Sequence, residues 1–233
     1  MKLEKITNRE TPTARRSYDD ACAAAHALDL IGERWALLVI RELMFGPKRF
    51  SDLRSDLPGI SANVLTQRLE GLEEAGILRK SKLPPPASVQ VYELTEWGYE
   101  AEPILQTLGR WAARSPSHAP NLPISTTSFL LSLRTMISPE RSQDINAVIG
   151  LKLDDEDFTA HLHNGGLEIR RGKAEQYDIA FESSPRMMAA TIYGGQPLIA
   201  LEEANLLTMN GDQALAEKFI TLFPLPAKAP LKK

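Results

Sequence analysis

Asn63, Thr66, Gln67 and Arg68 fall within one short stretch, and their side chains carry the donors and acceptors that read base edges. Glutamine bonds adenine N6 and N7, arginine bonds guanine O6 and N7, and threonine suits a phosphate or a base edge. Ser61 heads the same stretch as a helix N-cap, where free amide N–H groups favour a phosphate. Lys48 and Arg49 upstream, and Arg79, Lys80 and Lys82 downstream, add cations placed for sugar–phosphate oxygens. This is the chemistry of holding a duplex, not of making or breaking bonds.

Catalytic patterns fare worse. His161 and His163 would share one face of a strand, but no third metal ligand follows at a useful spacing, so a solvated face is expected. GLEIRRGKA is superficially like a phosphate loop. Gly166 and Gly172 are wrongly separated, however, and Ala174 stands where the magnesium-binding Ser or Thr belongs. Ser183-Ser184 has no evident base and reads as a capping pair. The expectation is no enzyme, no metal and no cofactor.

The chain has 233 residues, 43% hydrophobic and 24% charged, with a net charge of −3. That is enough apolar content to bury a core, which excludes general disorder. No apolar run approaches the ~18–20 residues of a membrane span. The polar start MKLEKITNRETPTARR is no secretory signal, and Cys22, the single cysteine, rules out an internal disulfide framework. A cytoplasmic protein without membrane insertion is expected. The first 114 residues carry equal numbers of basic and acidic side chains, so the local placement of charge decides the reading.

The elements that must position these residues follow from periodicity. Helices are predicted over Tyr18–Ile31 and Trp35–Phe45, then a short one carrying Phe50, Leu53 and Leu57. The helix after Ser61 buries Leu65, Leu69 and Leu72 and ends at Gly76. That leaves Asn63, Thr66, Gln67 and Glu70 on the opposite side and Arg68 at its edge. Ile77–Leu83 and Val89–Leu94 read as a hairpin. Thr95 caps a last helix, kinked at Pro103, with Trp97, Ile104, Leu105, Leu108 and Trp111 on one face. SPSHAPNLP, with three prolines, reads as a linker. The expected division is an arm over 1–17, a DNA-binding domain over 18–114, a linker over 115–123, a second domain over 124–227 and a tail over 228–233.

Helix, helix, helix–turn–helix, hairpin, helix is the order of a winged helix-turn-helix. GERW, RFSDL, GIS…VLTQRL…LE…G and YELTEWG, in that order across roughly residues 21–112, resemble the HxlR family of bacterial transcriptional regulators. The resemblance implies a dimeric repressor or activator on double-stranded DNA. An isologous homodimer through helix one and the Trp97–Ala112 helix would present two recognition helices to an inverted-repeat operator. Some members use a cysteine near position 22 as a thiol sensor, which would make Cys22 a redox switch. The plainer reading is a small buried hydrophobe.

The second domain reads as α/β (α+β). Alternating apolar residues run through 149–153, 158–162 and 167–169, with a hairpin turn at Asn164-Gly165-Gly166. Ser184-Pro185 opens one helix and Asp212 another. The segments GLKLDDEDFTAHLHNGGLEIRRGKA, SPRMMAATIYGGQPLIALE and LLTMNGDQALAEKFITLF resemble the sterol carrier protein-like domain. A sheet backed by helices around an apolar tunnel is implied. Phe158, Met187, Met188, Ile192, Met209, Phe219 and Phe223 are the expected pocket wall for a lipid or other apolar small molecule. The same residues closing on one another as core is the alternative. The fold expectation is therefore a mainly α winged helix-turn-helix domain followed by a sterol carrier protein-like domain. The functional expectation is a DNA-binding regulator modulated by an apolar ligand. The competing class is a lipid carrier module whose winged helix serves only protein association; a thiol-based sensor through Cys22 is the other alternative.

Overall fold

The computed structural model describes residues 17–119 and 122–230. Residues 1–16 of the expected arm, Pro120 and Asn121 of the expected linker, and residues 231–233 of the expected tail lie outside the described residues.

The first helix, α1 (Ala23–Ile31), starts later than its periodicity predicts. Asp19 sits at φ 51° and turns the chain. Ser17 Oγ and the Tyr18 N–H then both donate to the Asp29 carboxylate, and the Asp20 carboxylate accepts the Cys22 N–H. Local side-chain hydrogen bonds of this kind offer the backbone an alternative to helix. In α2 (Ala36–Glu42) the start is likewise delayed, because Trp35 is left-handed at φ 80°. Next come α3 (Phe50–Asp56) and α4 (Ala62–Glu74), joined by the Pro58-Gly59 turn. Strands β1 (Leu78–Lys82) and β2 (Gln90–Leu94) pair antiparallel from Leu78↔Leu94 to Lys82↔Gln90. The predicted last helix is broken into α5 (Glu96–Tyr99) and α6 (Glu102–Ala113). The break lies just before Pro103, which occupies the first turn of α6, where its missing N–H leaves no gap in the ladder.

The second half opens with α7 (Thr126–Met136) and the single turn α8 (Pro139–Ser142). Strands β3 (Ala147–Leu153), β4 (Glu156–His163) and β5 (Gly166–Arg171) form a meander. Asn164 and Gly165, both left-handed, make its second turn, as the hairpin signal predicts. Then follow β6 (Ile179–Ser183), α9 (Pro185–Ile192), α10 (Leu198–Glu203), β7 (Leu207–Gly211) and α11 (Gln213–Phe219). The sheet runs β5-β4-β3-β6-β7, with β3 and β6 parallel and the other neighbours antiparallel. It is a mixed sheet, covered by helices on one face. β6, α8 and α10 have no counterpart in the sequence reading; α8 and α10, of four and six residues, are too short for a helical period to show.

The two halves pack together. Phe45, just after α2, meets Phe158 of β4 edge-on at 6.1 Å. Arg171 Nε donates to the Phe45 carbonyl at 3.2 Å while its guanidinium lies 4.9 Å above the Phe158 ring. Along α6, Glu102 pairs with Arg134 of α7 at 3.0 Å and Arg110 donates to the Thr135 carbonyl. At the far end of α6, Lys228 Nζ donates to the carbonyls of Ala113 at 3.0 Å and Ser115 at 3.1 Å. Buried apolar residues of both halves make one continuous cluster.

Candidate nucleic-acid interface

Helix α4 is built as its pattern requires. Ser61 Oγ accepts the Val64 N–H at 3.3 Å, capping the helix. Leu65, Leu69 and Leu72 are buried, while Ser61, Asn63, Thr66, Gln67 and Glu70 are exposed. Gly76, at φ 72°, ends the segment and turns the chain into the hairpin. An uncovered polar face on a helix held by its leucines, with a two-stranded wing beside it, has the shape to enter a major groove.

Arg68 is different. Its side chain is only 21% exposed and Nη1 lies 3.4 Å from Glu33 of the α1–α2 corner. Nε is buried without a hydrogen-bond partner. The structure places this arginine against the protein and not among the outward-facing residues.

Of the five outlying cations, Arg49 and Lys82 are exposed. Arg79 pairs with Glu93 at 2.9 Å and Lys80 with Glu73 at 2.6 Å. The Lys80 ammonium beside it holds the Glu73 carboxyl below its ordinary pKa, and Glu73 in turn raises that of Lys80. These pairs sit in solvent, where a phosphate can compete for the same cations.

Lys48 is a correction to the sequence reading: it is 6% exposed and points inward. Its Nζ donates to Asp56 Oδ2 at 2.6 Å, to Thr127 Oγ1 at 3.1 Å and to Glu42 Oε2 at 3.2 Å. Glu42 is fully buried, and its Oε1 accepts from Ser125 Oγ at 2.8 Å and pairs with Arg41 at 2.7 Å. Burial raises the Asp56 pKa despite the Lys48 hydrogen bond and charge that oppose it. Ser125 and Thr127 belong to the second half, so this ionic cluster ties the two halves together. The lysine's neighbours Pro47 and Arg49 gave no sign of it. Its backbone pairs with Tyr92 in both directions, which directs the side chain inward. Glu42, a carboxylate at the end of the apolar run ALLVIRE, was the one available signal.

Cys22 is exposed at the N-cap of α1 and not buried as a small hydrophobe. The amides of Ala25 and Ala24 at the helix start lower its pKa.

The seven predicted pocket residues lie in or against the apolar interior. Phe158, Met188, Phe219 and Phe223 are buried, and Met187, Ile192 and Met209 are partly buried against the core. Phe219 stacks on Phe181 at 5.8 Å and meets Phe223 edge-on at 5.2 Å. Two clefts, of about 330 and 380 Å³, open instead on the uncovered side of the sheet around the 172–177 loop, and Phe158 alone of the seven touches either. His161 and His163 also lie on that side, as their spacing predicts. Among the described residues no cluster of His, Cys, Asp and Glu has the makings of a metal site, and no helix is long and apolar enough to cross a membrane.

Comparison with known proteins bears on the first half. Residues 30–119 match the family described as HxlR-like helix-turn-helix. The uncharacterized HTH-type transcriptional regulator YvaP of Bacillus subtilis is 35% identical over 86 residues, 37% of this chain and 80% of that protein. The HTH-type transcriptional regulator YodB of the same organism is 38% identical over 86 residues, 37% of this chain and 77% of that protein. The structure of reduced YodB aligns at 35% identity and TM-score 0.38, covering 41% of this chain and 95% of that one. The sec-alkylsulfatase Pisa1 of a Pseudomonas species aligns at 16% identity and TM-score 0.39. That match covers 46% of this chain and only 16% of the sulfatase.

Proposed function

Because the chain belongs to the HxlR-like helix-turn-helix family, we propose that it regulates transcription by laying the N-terminal part of α4 in the major groove of duplex DNA. The observation that carries this reading is the exposed face of Asn63, Thr66 and Gln67 over buried Leu65, Leu69 and Leu72. Arg49, Lys82 and, after exchange of carboxylate for phosphate, Arg79 and Lys80 supply backbone contacts; Ser61 caps a helix start that faces a phosphate.

A second copy completes the regulator. Leu28, Trp97, Ile104, Leu108 and Trp111 are exposed on α1, α5 and α6, and Trp111 is 73% open. Apolar surface of this kind on consecutive elements marks an interface. An isologous pair sets two α4 helices about one helical turn of DNA apart, on an inverted repeat. The test is fluorescence anisotropy on a site selected from random duplexes. Gln67→Ala should weaken binding to that site by about 1–3 kcal/mol and leave random DNA unaffected. Saturation should need two chains per inverted repeat. Equal affinity of wild type and variant for both DNAs overturns the reading, and one chain per repeat overturns the dimer.

The second half acts, in this reading, as a control domain seated on α6. Its mixed sheet with helices is the observation behind this role, and its grip on both ends of α6 supports a path from that domain to the dimer helix. A carrier role with the winged helix used only for protein association is disfavoured, since a docking helix would show apolar anchors where α4 is polar.

Thiol sensing through Cys22 is favoured by one observation: the thiol is exposed and its pKa is lowered at the start of α1. Reaction there would add bulk or a disulfide beside the apolar α1 face. Diamide treatment should change operator affinity in wild type and leave Cys22→Ser unchanged. The same response in both proteins overturns the sensor.

A further inference from the structure

We infer that Arg68, although it lies on the recognition helix, is a positioning residue that holds α4 to the α1–α2 corner and does not read a base. This rests on the DNA-binding reading above and assigns a role within it.

The corner comprises Gly32, Glu33, Arg34 and Trp35. It touches the helix-turn-helix at two separate points. At one, Glu33 lies 3.4 Å from Arg68 Nη1. At the other, the Trp35 ring lies beside Gly59, in the turn between α3 and α4, with its Cη2 at an ordinary contact distance of 3.8 Å from where a Cβ would sit. Gly59 itself lies at φ 94°. The left-handed Trp35 aims its ring at that turn, and the Arg34 guanidinium lies 5.4 Å above the ring. One corner therefore lies against both the turn before the recognition helix and the middle of that helix.

Arg68 is suited to this and not to base reading. A guanine-reading arginine needs its fork free, with both nitrogens of one edge presented to O6 and N7. Here Nε is sealed from solvent and Nη1 faces the Glu33 carboxylate at 3.4 Å. Swinging outward would break the pair with Glu33. Gln67 and Thr66, one and two positions earlier, are exposed and stay available to the groove.

The consequence is a mechanical link. Helix α1 has no fully buried residue of its own and offers its outer face to the second copy. The corner is the piece of chain that follows it directly. The pose of α1, set by the dimer, is thereby passed to α4 through Glu33–Arg68 and Trp35–Gly59. A charge pair of this exposure is a modest tether, but it acts on the angle of the reading helix, and small angular errors reach every base contact at once.

The test measures affinity across a panel of operators with each base pair changed in turn, using the full chain. Wild type, Gln67→Ala, Arg68→Ala, Glu33→Ala and the swap Glu33→Arg with Arg68→Glu are compared. Arg68→Ala and Glu33→Ala should each lower affinity by about three- to tenfold on every operator, leaving the order of base preferences unchanged. The swap should recover most of the loss. Gln67→Ala should flatten preference at one position. Loss of preference at a single base pair in Arg68→Ala, with Glu33→Ala silent, overturns the positioning role while leaving DNA binding intact. A wild type that shows no base preference anywhere overturns the DNA-binding reading and this role with it.

Discussion

Replacing Lys48 by alanine should destabilise the protein by about 3–5 kcal/mol, because it leaves half-buried Asp56 without its cation and fully buried Glu42 with Arg41 alone. Glu42 is fully buried and cannot rehydrate, and Asp56 already has its pKa raised by burial. Single domains are stable by only about 5–15 kcal/mol, so this one change would remove a large share. Urea unfolding followed by circular dichroism measures it. Adding Glu42→Gln and Asp56→Asn to Lys48→Met should recover part of the loss, since the stranded charges are then gone. Arg49→Ala, one residue along and exposed, should shift stability by less than about 0.5 kcal/mol. An unfolding midpoint for Lys48→Ala equal to that of wild type would falsify the buried role and return this lysine to the phosphate contacts. The same cluster donates to Thr127, and Ser125 donates into it, so the variant should also loosen the seating of α7.

Phe219→Ala should cost about 3–5 kcal/mol as well, for a different reason. Its ring is fully buried between Phe181 and Phe223, and truncation leaves a cavity that rigid sheet residues cannot fill. The experiment separates core from pocket. A core phenylalanine gives a large drop in urea midpoint and no loss of fatty-acid affinity. A pocket wall gives a small drop and a marked loss of affinity for a fluorescent fatty acid such as cis-parinaric acid. A destabilisation under about 1 kcal/mol, with weakened binding of that probe, would restore the apolar-ligand reading of these side chains.

Where period and capping were strong, the sequence was legible to within a residue or two. Helix α4 lies where Ser61 and the Leu65, Leu69, Leu72 spacing put it, and the hairpin and the Asn164-Gly165 turn follow from local chemistry. The start of α1 was not legible. Asp29, ten residues beyond Asp19, takes the hydrogen bonds that fold the chain back before Ala23. At α2 the prediction misses by one residue, because Trp35 adopts a backbone region its type rarely visits. The break before α6 was visible as a proline, but as a kink and not as two helices.

By itself, the sequence determined the helix-turn-helix, its wing, the polar face of α4 and the alternation that builds the sheet, because each depends on neighbours a few residues apart. Tertiary structure alone decided the fate of individual side chains. Lys48 and Arg68 look like surface cations in any local window, yet one meets Thr127 across the domain boundary and the other Glu33 from an earlier corner. Phe158, Phe219 and Phe223 read equally well as pocket or core until their partners are known. A charge or a ring takes its role from what surrounds it, and those surroundings come from segments that the chain brings together only when it folds.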